Sequence, residues 1–552
     1  MSERTIEEIK LESDFLRGKL AETLADPSKD GFSEDDKALL KFHGLYQQKN
    51  RDKLPDGAQQ PNSFLIRGRI PGGRLTAAQY LAWDDISDLY GGGSLRLTTR
   101  QTFQLHGILK DDLRPVMQAI SNMNLSTVAS CGDVVRNVTQ AVNPKALPEL
   151  EILDVPAQLL SDHFKFQSSA WTEIWLGEER LTAPGDEHEP FYGKSYLPRK
   201  FKIAVTLVGD NGIDIYTNDL GLAATVENGA ISGYYVFAGG GMGMTHNKPE
   251  TYPRMADLVG YIHADQLLAT AEAIITVHKD FGDRTNRKHA RLKYVIQEQG
   301  LAWFRSEVEV RQGFSFQEKP LPAWNTPSYL GWQERTDGTW ALGVHVLSGR
   351  IKDGEQSKLK SALRDIVRTF QPSVQLTADQ DLILLGIQSA DREKVQTSLD
   401  ASGYQWQSQS KLFERALACV SLPTCGLALA EAERVLHDLL VSIDSKLEIY
   451  GLKNRAPIVR LTGCPNGCAR PYAAEVGIAG QLPGKYALFI GGTPSGDRMA
   501  RLWTQKIPFD QIASTLEPLF AYWKQASTDG ESLGDFVQRV GIEAIKNQTG
   551  IQ

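Results

Sequence analysis

A repeat at a fixed offset constrains the fold of this chain more than any other feature. Leu97, Thr98, Gln101, Gly107 and Ile108 return 279 positions later as Leu376, Thr377, Gln380, Gly386 and Ile387. Each set sits in a strand, helix, strand pattern. The first runs from FLIRGRI at Phe64 through LTAAQYLAWDDISDLYG to SLRLTTRQTFQLHGI, the second from WALGVHVLSGRI at Trp340 through KLKSALRDIVRTF to SVQLTADQDLILLGI. Recurrence at constant spacing marks an internal duplication. A fainter echo joins GYYVFAGGG (233–241) to KYALFIGGT (485–493), each an apolar strand ending in glycines.

The expected architecture is α/β (α+β) and internally duplicated. Residues 1–60 read as an arm of two helical stretches followed by a linker, QQKNRDKLPDGAQQPNS; 61–128 and 329–402 read as the two repeats, 129–328 as a domain between them and 403–552 as a last domain. The proline-rich KPLPAWNTPSYLGW (319–332) reads as the crossover between halves.

With 41% hydrophobic and 23% charged residues the composition is that of a globular protein, and a net charge of −7 gives no field for nucleic acid or an anionic membrane. The N-terminus lacks the apolar core of a signal peptide, and no apolar run reaches the roughly 18 residues of a membrane span. A cytoplasmic setting is expected. Any anion site must therefore be built from local clusters of cations.

Four of the five cysteines form two tight pairs, Cys419 with Cys425 and Cys464 with Cys468. In a reducing compartment such pairs read as metal ligands. Four thiolates from two segments can hold an iron–sulfur cluster. A structural zinc site is the alternative, though zinc knuckles usually space their ligands more closely than Cys419 and Cys425. The helical pattern LALAEAERVLHDLL after Cys425 places that thiol near an expected helix N-terminus. In GCPNGC, the Asn466-Gly467 pair supplies a tight turn that lets two sulfurs converge and exposes N–H groups to them.

Cations recur in the first half. Arg284, Arg287, Lys288 and Arg291 stand at helical spacing in RTNRKHARLK, so a helix with one basic face is expected. Arg67, Arg96, Arg100, Arg136, Lys200 and Lys202 lie in strand-like apolar surroundings, where alternation aims Lys200 and Lys202 at one side. Buried cations are costly unless an anion meets them, which points to a polyanionic ligand or substrate. The second repeat lacks them: Arg96, Arg100 and His106 are matched there by Gln375, Asp379 and Leu385.

LTGCPNGCARPYAAEVG, ACVSLPTCGLALAEAER, LRLTTRQTFQLHGI, YLPRKFK and DRTNRKHARLKY resemble motifs of the sirohaem nitrite/sulfite reductase family, and the resemblance runs almost end to end. It implies three α/β domains, one made by the two repeats together, around a sirohaem joined to a four-iron, four-sulfur (4Fe-4S) cluster. By the resemblance Cys419, Cys425, Cys464 and Cys468 bind the cluster, and Cys468 bridges to the sirohaem iron. Arg96, Arg100, His106, Arg284, Arg287, Lys288 and Arg291 are then candidates for the sirohaem carboxylates, with Asn466 beside the cluster. Arg67, Arg136, Lys200 and Lys202 match the cations around the open iron face.

The implied reaction is the six-electron reduction of sulfite to sulfide by a haemoprotein subunit of assimilatory type. A sirohaem nitrite reductase and a non-catalytic four-cysteine metal protein are the alternatives. The glycine run GGGMGM (239–244) is no dinucleotide fingerprint, and reads as close backbone approach to a cofactor. Nicotinamide and flavin would sit on another chain. The N-terminal ESDFLRGKLAETL resembles family members served by an NADPH-dependent flavoprotein carrying FAD and FMN, with ferredoxin the alternative donor, so residues 1–60 are expected to dock that partner. The fifth cysteine, Cys131, reads as a small buried residue; in some relatives a matching cysteine is linked to a tyrosine, here Tyr46.

Overall fold

A computed structural model describes residues 4–54, 60–167, 175–176, 179–180, 189–405 and 410–551. The duplication shows as two pairs of five-stranded sheets. One sheet runs in the order Leu45–Lys49, Asn62–Arg67, Phe103–Ile108, Leu95–Leu97, Arg350–Ile351; its counterpart runs Gly331–Glu334, Trp340–Val344, Leu382–Ile387, Ser373–Leu376, Arg74–Leu75. All neighbours in both are antiparallel. Each sheet takes its last strand from the other repeat, so neither repeat completes its sheet alone and the two form one domain. The helices Ala77–Leu89 and Leu359–Phe370 pack on each other, joined by Lys360 to Asp84 at 2.9 Å. The first begins at Thr76, whose side chain and that of Gln79 cap each other's N–H groups.

The other two sheets share a topology. Thr139–Gln140, Ile203–Leu207 and Leu220–Glu227 are parallel neighbours, followed by antiparallel Ala230–Ala238 and Asp257–His263. Leu417–Ala418, Val459–Thr462, Val476–Leu482, Lys485–Ile490 and Arg501–Pro508 repeat that order and those directions. Val459 stands 256 positions after Ile203, and Val476 the same distance after Leu220. The echo between 233–241 and 485–493 is thus one structural position occupied twice. Where those strands end, a Cβ at Gly240 would lie 2.2 Å from the Tyr216 carbonyl oxygen and one at Gly492 2.3 Å from that of Ala474, so both places need glycine. One hydrophobic core runs from the N-terminus through both repeats into the 129–328 segment, and a second fills the C-terminal domain. No described helix is long and apolar enough to cross a membrane.

Two expectations are corrected here. Residues 1–60 are no detachable arm: Leu16, Leu20, Leu39, Leu40 and Phe42 are buried in the main core, and fully buried Lys10 donates to the Leu197 carbonyl at 2.9 Å. Part of the expected linker is the strand Leu45–Lys49, which edges the first sheet; its residues 55–59 lie outside the described residues. The basic run 284–291 is no helix. The Asp283 carboxylate accepts from the N–H groups of Thr285 at 2.8 Å and Asn286 at 2.9 Å, a side-chain turn that outcompetes the helical ladder, and the helix Leu292–Gln299 starts only after Arg291.

Candidate active site

The cysteine pairs follow two neighbouring parallel strands, Leu417–Ala418 and Val459–Thr462. Cys419 donates its N–H to Leu461 at 3.2 Å, and its sulfur accepts the N–H of Gly463 at 3.3 Å. The first loop then folds back, so that Leu429 and Ala430 donate to the Gly463 carbonyl at 2.8 and 2.9 Å. A Cβ at Gly463 would sit 1.7 Å from the Ser421 hydroxyl; only glycine lets the two cysteine loops meet. In the second loop Asn466 donates its side-chain amide to the Cys464 sulfur at 3.4 Å, and Gly467 turns with φ +63° against the Met242 carbonyl. Cys425 sits in a turn, its N–H bonded to Ser421 at 2.9 Å, well before the helix Leu436–Ile449. Between them Leu429 and Ala430 spend their N–H groups on Gly463 instead of a helical ladder, and Glu433–Val435 form a single 3-10 turn, so the expected placement at a helix N-terminus is corrected.

The four thiols act on one another. Burial pushes Cys419 well above the ordinary thiol range, Cys464 up to about 12, and Cys425 upward, with Cys468 the next contributor in each case. Thiolates held this close need a shared cation to exist at all. Four thiols gathered from two loops are a donor set that a 4Fe-4S cluster, with one iron for each thiolate, can use.

Facing Cys468 is the cation pocket. Lys202 and Arg67 both lie within electrostatic reach of its sulfur, and Thr99 donates its hydroxyl to the Cys468 carbonyl at 3.2 Å. Lys200 and Lys202 flank buried Phe201, so alternation does aim them together. Burial, then Lys202 and Arg136, drives Lys200 well below the ordinary lysine range. Burial, then Arg100 and Arg291, brings Lys202 down to about 7. The Arg136 guanidinium donates to the Gly132 carbonyl at 3.1 and 3.3 Å. Arg67 donates to the Cys131 sulfur at 3.0 Å and lies 5.8 Å from the Tyr46 ring, which brings Tyr46, Cys131 and Arg67 into one cluster. Neither lysine is ion-paired among the described residues, and a buried cation without such a partner is costly.

The other expected sirohaem contacts divide. Arg100 reaches Asn218, Asn137 and Ile203 yet keeps a buried, unpartnered Nε, and His106 touches Gln48 at 3.3 Å and keeps an unpartnered Nε2. The orphaned Arg100 N–H fits a polyanionic macrocycle; burial lowers His106 to about 3, so its ring is neutral, with Nδ1–H on Gln48, and its Nε2 meets a carboxyl only where that carboxyl carries the proton. The remaining arginines are already engaged. Arg96 joins Arg350 on Glu433 and donates to the Ala418 carbonyl at 2.8 Å, so it fastens the cysteine loop. Arg284 pairs with Glu7 at 2.6 Å, Arg287 with Asp133 at 2.9 Å and Arg291 with Asp219 at 2.6 Å, while Lys288 is exposed.

Nor does the glycine run 239–244 face empty space. Lys293 donates to the carbonyls of Gly241 and Gly243 at 3.2 and 2.6 Å, and Met244 donates to Pro465 at 3.1 Å, so the run braces the second cysteine loop.

The chain is matched almost end to end by known proteins. The description "Nitrite and sulphite reductase 4Fe-4S domain" fits residues 131–316, and "Nitrite/Sulfite reductase ferredoxin-like half domain" fits 57–123 and 333–402. The sulfite reductase (NADPH) hemoprotein beta-component of Myxococcus xanthus is 45% identical over 97% of this chain and 96% of its own. The chain belongs to the nitrite and sulfite reductase family. A sulfite reductase (ferredoxin) of Synechococcus elongatus is 42% identical over 98% of the chain and 90% of its own. The solved structure of the NirA protein of Mycobacterium tuberculosis, at 22% identity, shares the fold with a TM-score of 0.78 over 97% of this chain and 95% of that one. The segment matched as the 4Fe-4S domain of this family, 131–316, does not hold the four paired cysteines. They lie in its structural repeat in the C-terminal domain.

Several site residues escaped the sequence reading. Asp219 pairs with Arg291 and accepts the Lys202 N–H at 2.9 Å; Arg470 pairs with Asp379 at 2.9 Å and with Asp214; Glu433 lies between two arginines. Arg470 lies inside the GCARPY motif, where an arginine beside cysteines was the available signal. Asp219 and Glu433 carry no pattern of their own.

Proposed function

We propose that this chain is the haemoprotein of an assimilatory sulfite reductase, reducing sulfite to sulfide with a sirohaem and a 4Fe-4S cluster. The observation that carries the reading is the meeting of a four-thiol centre and an unpaired cation pocket at Cys468. Cys419, Cys425, Cys464 and Cys468 would hold the cluster, and Arg100 and His106 would meet sirohaem carboxylates. When bound, that pair supplies the electrons and an open iron at which sulfur binds.

The protein's own work is electrostatic. Arg67, Arg136 and Lys200 orient the oxyanion and neutralise it. Lys202, with a pKa near neutrality, gives up a proton to each departing oxygen and is recharged from water. The whole conversion takes six electrons and eight protons per sulfite dianion, releasing hydrogen sulfide and three waters. A pocket that concentrates positive charge serves each of those protonations.

Electrons come from a separate NADPH-dependent flavoprotein, or from a ferredoxin; relatives whose names specify NADPH and ferredoxin are both similar to this chain. We place the chain in the cytoplasm, a reducing setting in which paired cysteines serve as metal ligands. Steady-state turnover with a dye donor tests the assignment: kcat/KM for sulfite should exceed that for nitrite, and a preference for nitrite would overturn it.

A further inference from the structure

The loop that carries Cys425 is fastened from outside its own domain. Arg51 Nη2 donates to the Cys425 carbonyl at 2.7 Å, and both terminal nitrogens of Arg51 reach the Ala428 carbonyl at 3.2 Å. The Arg51 N–H donates to the Pro423 carbonyl at 3.1 Å. Its neighbour Asp52 accepts from Arg434 at 2.6 Å, so the strap is pinned a second time. Three carbonyls of one irregular loop thus end on a single exposed arginine that follows the strand Leu45–Lys49.

That geometry does two things. A planar guanidinium spanning two carbonyls locks the loop where no helix or sheet ladder does so. A fixed positive charge beside Cys425 also favours the state of the centre that holds one more electron, and net charge with local hydrogen bonding is what sets such potentials.

We propose that Arg51 is a positioning residue of the cluster, holding the Cys425 loop in place and raising the reduction potential of the bound centre through its charge. The inference rests on the four-cysteine reading above. It assigns the N-terminal segment a part in the redox centre, beyond closing a sheet.

The test uses the full-length holoprotein as wild type, Arg51→Gln, Arg51→Lys and Asp52→Asn. Two quantities are read: the cluster's midpoint potential by redox titration followed by electron paramagnetic resonance, and the rate of cluster loss to an iron chelator followed by absorbance. Arg51→Gln should shift the potential negative and speed chelator loss by about tenfold, the factor one charge-assisted hydrogen bond is worth. Arg51→Lys should keep the potential and still lose the cluster faster, because an ammonium cannot span both carbonyls. Asp52→Asn should leave both near wild type. Wild-type potential and chelator kinetics in Arg51→Gln would overturn the proposal, and so would an Asp52→Asn variant as impaired as Arg51→Gln. If Arg51→Gln yields no holoprotein, the lysine variant decides: unchanged chelator loss overturns the proposal. A wild-type protein with no cluster signal would instead sink the four-cysteine reading itself.

Discussion

The strands around Lys202 and those around Ile458 have one backbone and opposite chemistry. Leu220 donates to the Lys202 carbonyl at 3.0 Å, and Val476 to that of Ile458 at 3.0 Å. Asp219 accepts the Lys202 N–H at 2.9 Å, and Glu475 that of Ile458 at 3.0 Å. Every one of these partners is 256 positions from its mate. In the repeats, likewise, Gln101 and Gln380 both turn with positive φ, but Arg100 precedes one and Asp379 the other. The loop after the strand is Val208–Gly212 in the first copy and Cys464–Cys468 in the second. A duplicated scaffold has divided the work: one copy gathers cations that need an anion, the other gathers thiols that need a metal, and the two face each other at Cys468.

The largest test of this comparison is Cys468→Ser, which should abolish sulfite turnover and change the cluster's spectrum, whereas Gly212→Cys at the equivalent place should do neither. A smaller but sharper effect belongs to Lys202. Lys202→Met should lower kcat/KM for sulfite by about 10²- to 10³-fold, the range of a lost general acid. Wild-type activity should fall as pH rises through about 7, where Lys202 gives up its proton, and the variant's pH profile should lack that limb. The mirror change Ile458→Lys puts a cation into a buried apolar position whose neighbouring carboxylate is Glu475, and should cost on the order of 1–3 kcal/mol in a urea titration while adding no activity.

Glu433→Gln comes next. Burial alone would raise that carboxyl, but Arg96 and Arg350 overrule it and hold it at about 2. Its contribution is therefore full above the unfolded carboxylate value of 4.5 and is lost as pH falls through about 2. The variant should be less stable by about 3 kcal/mol at neutral pH and should lose less further stability between those values, as read by urea midpoints. Smallest are Gly240→Ala and Gly492→Ala, each expected to cost about 1–3 kcal/mol because a Cβ meets a carbonyl. Matching costs support equivalence of the two sheets; a neutral result at one breaks it.

Much of this was legible in the chain, for reasons that differ by region. The 279-residue offset is visible because both repeats keep the same turn, with Gln101 and Gln380 and then Gly107 and Gly386 at positive φ. The longer duplication shows only as an echo, since sheet cores accept any apolar residue and divergent function erased the polar positions. The cysteines are legible because two tight pairs of thiols in one chain point directly to ligation. The basic run 284–291 misleads because periodicity ignores the turn at Asp283, and because its arginines serve Glu7, Asp133 and Asp219, partners far away in sequence. Burial of Lys10 and the strap at Arg51 are equally long-range, and a polar N-terminus gives no sign of either.

The central claim is that an anionic tetrapyrrole and a cluster meet at Cys468 beside an open substrate site. Visible absorption of the purified protein, with and without sulfite, addresses it directly. Sirohaem is a reduced macrocycle with a red absorption band that neither zinc nor an isolated cluster produces. The account predicts that band, shifted when sulfite is added. A protein that stays colourless after reconstitution with sirohaem, iron and sulfide would contradict it.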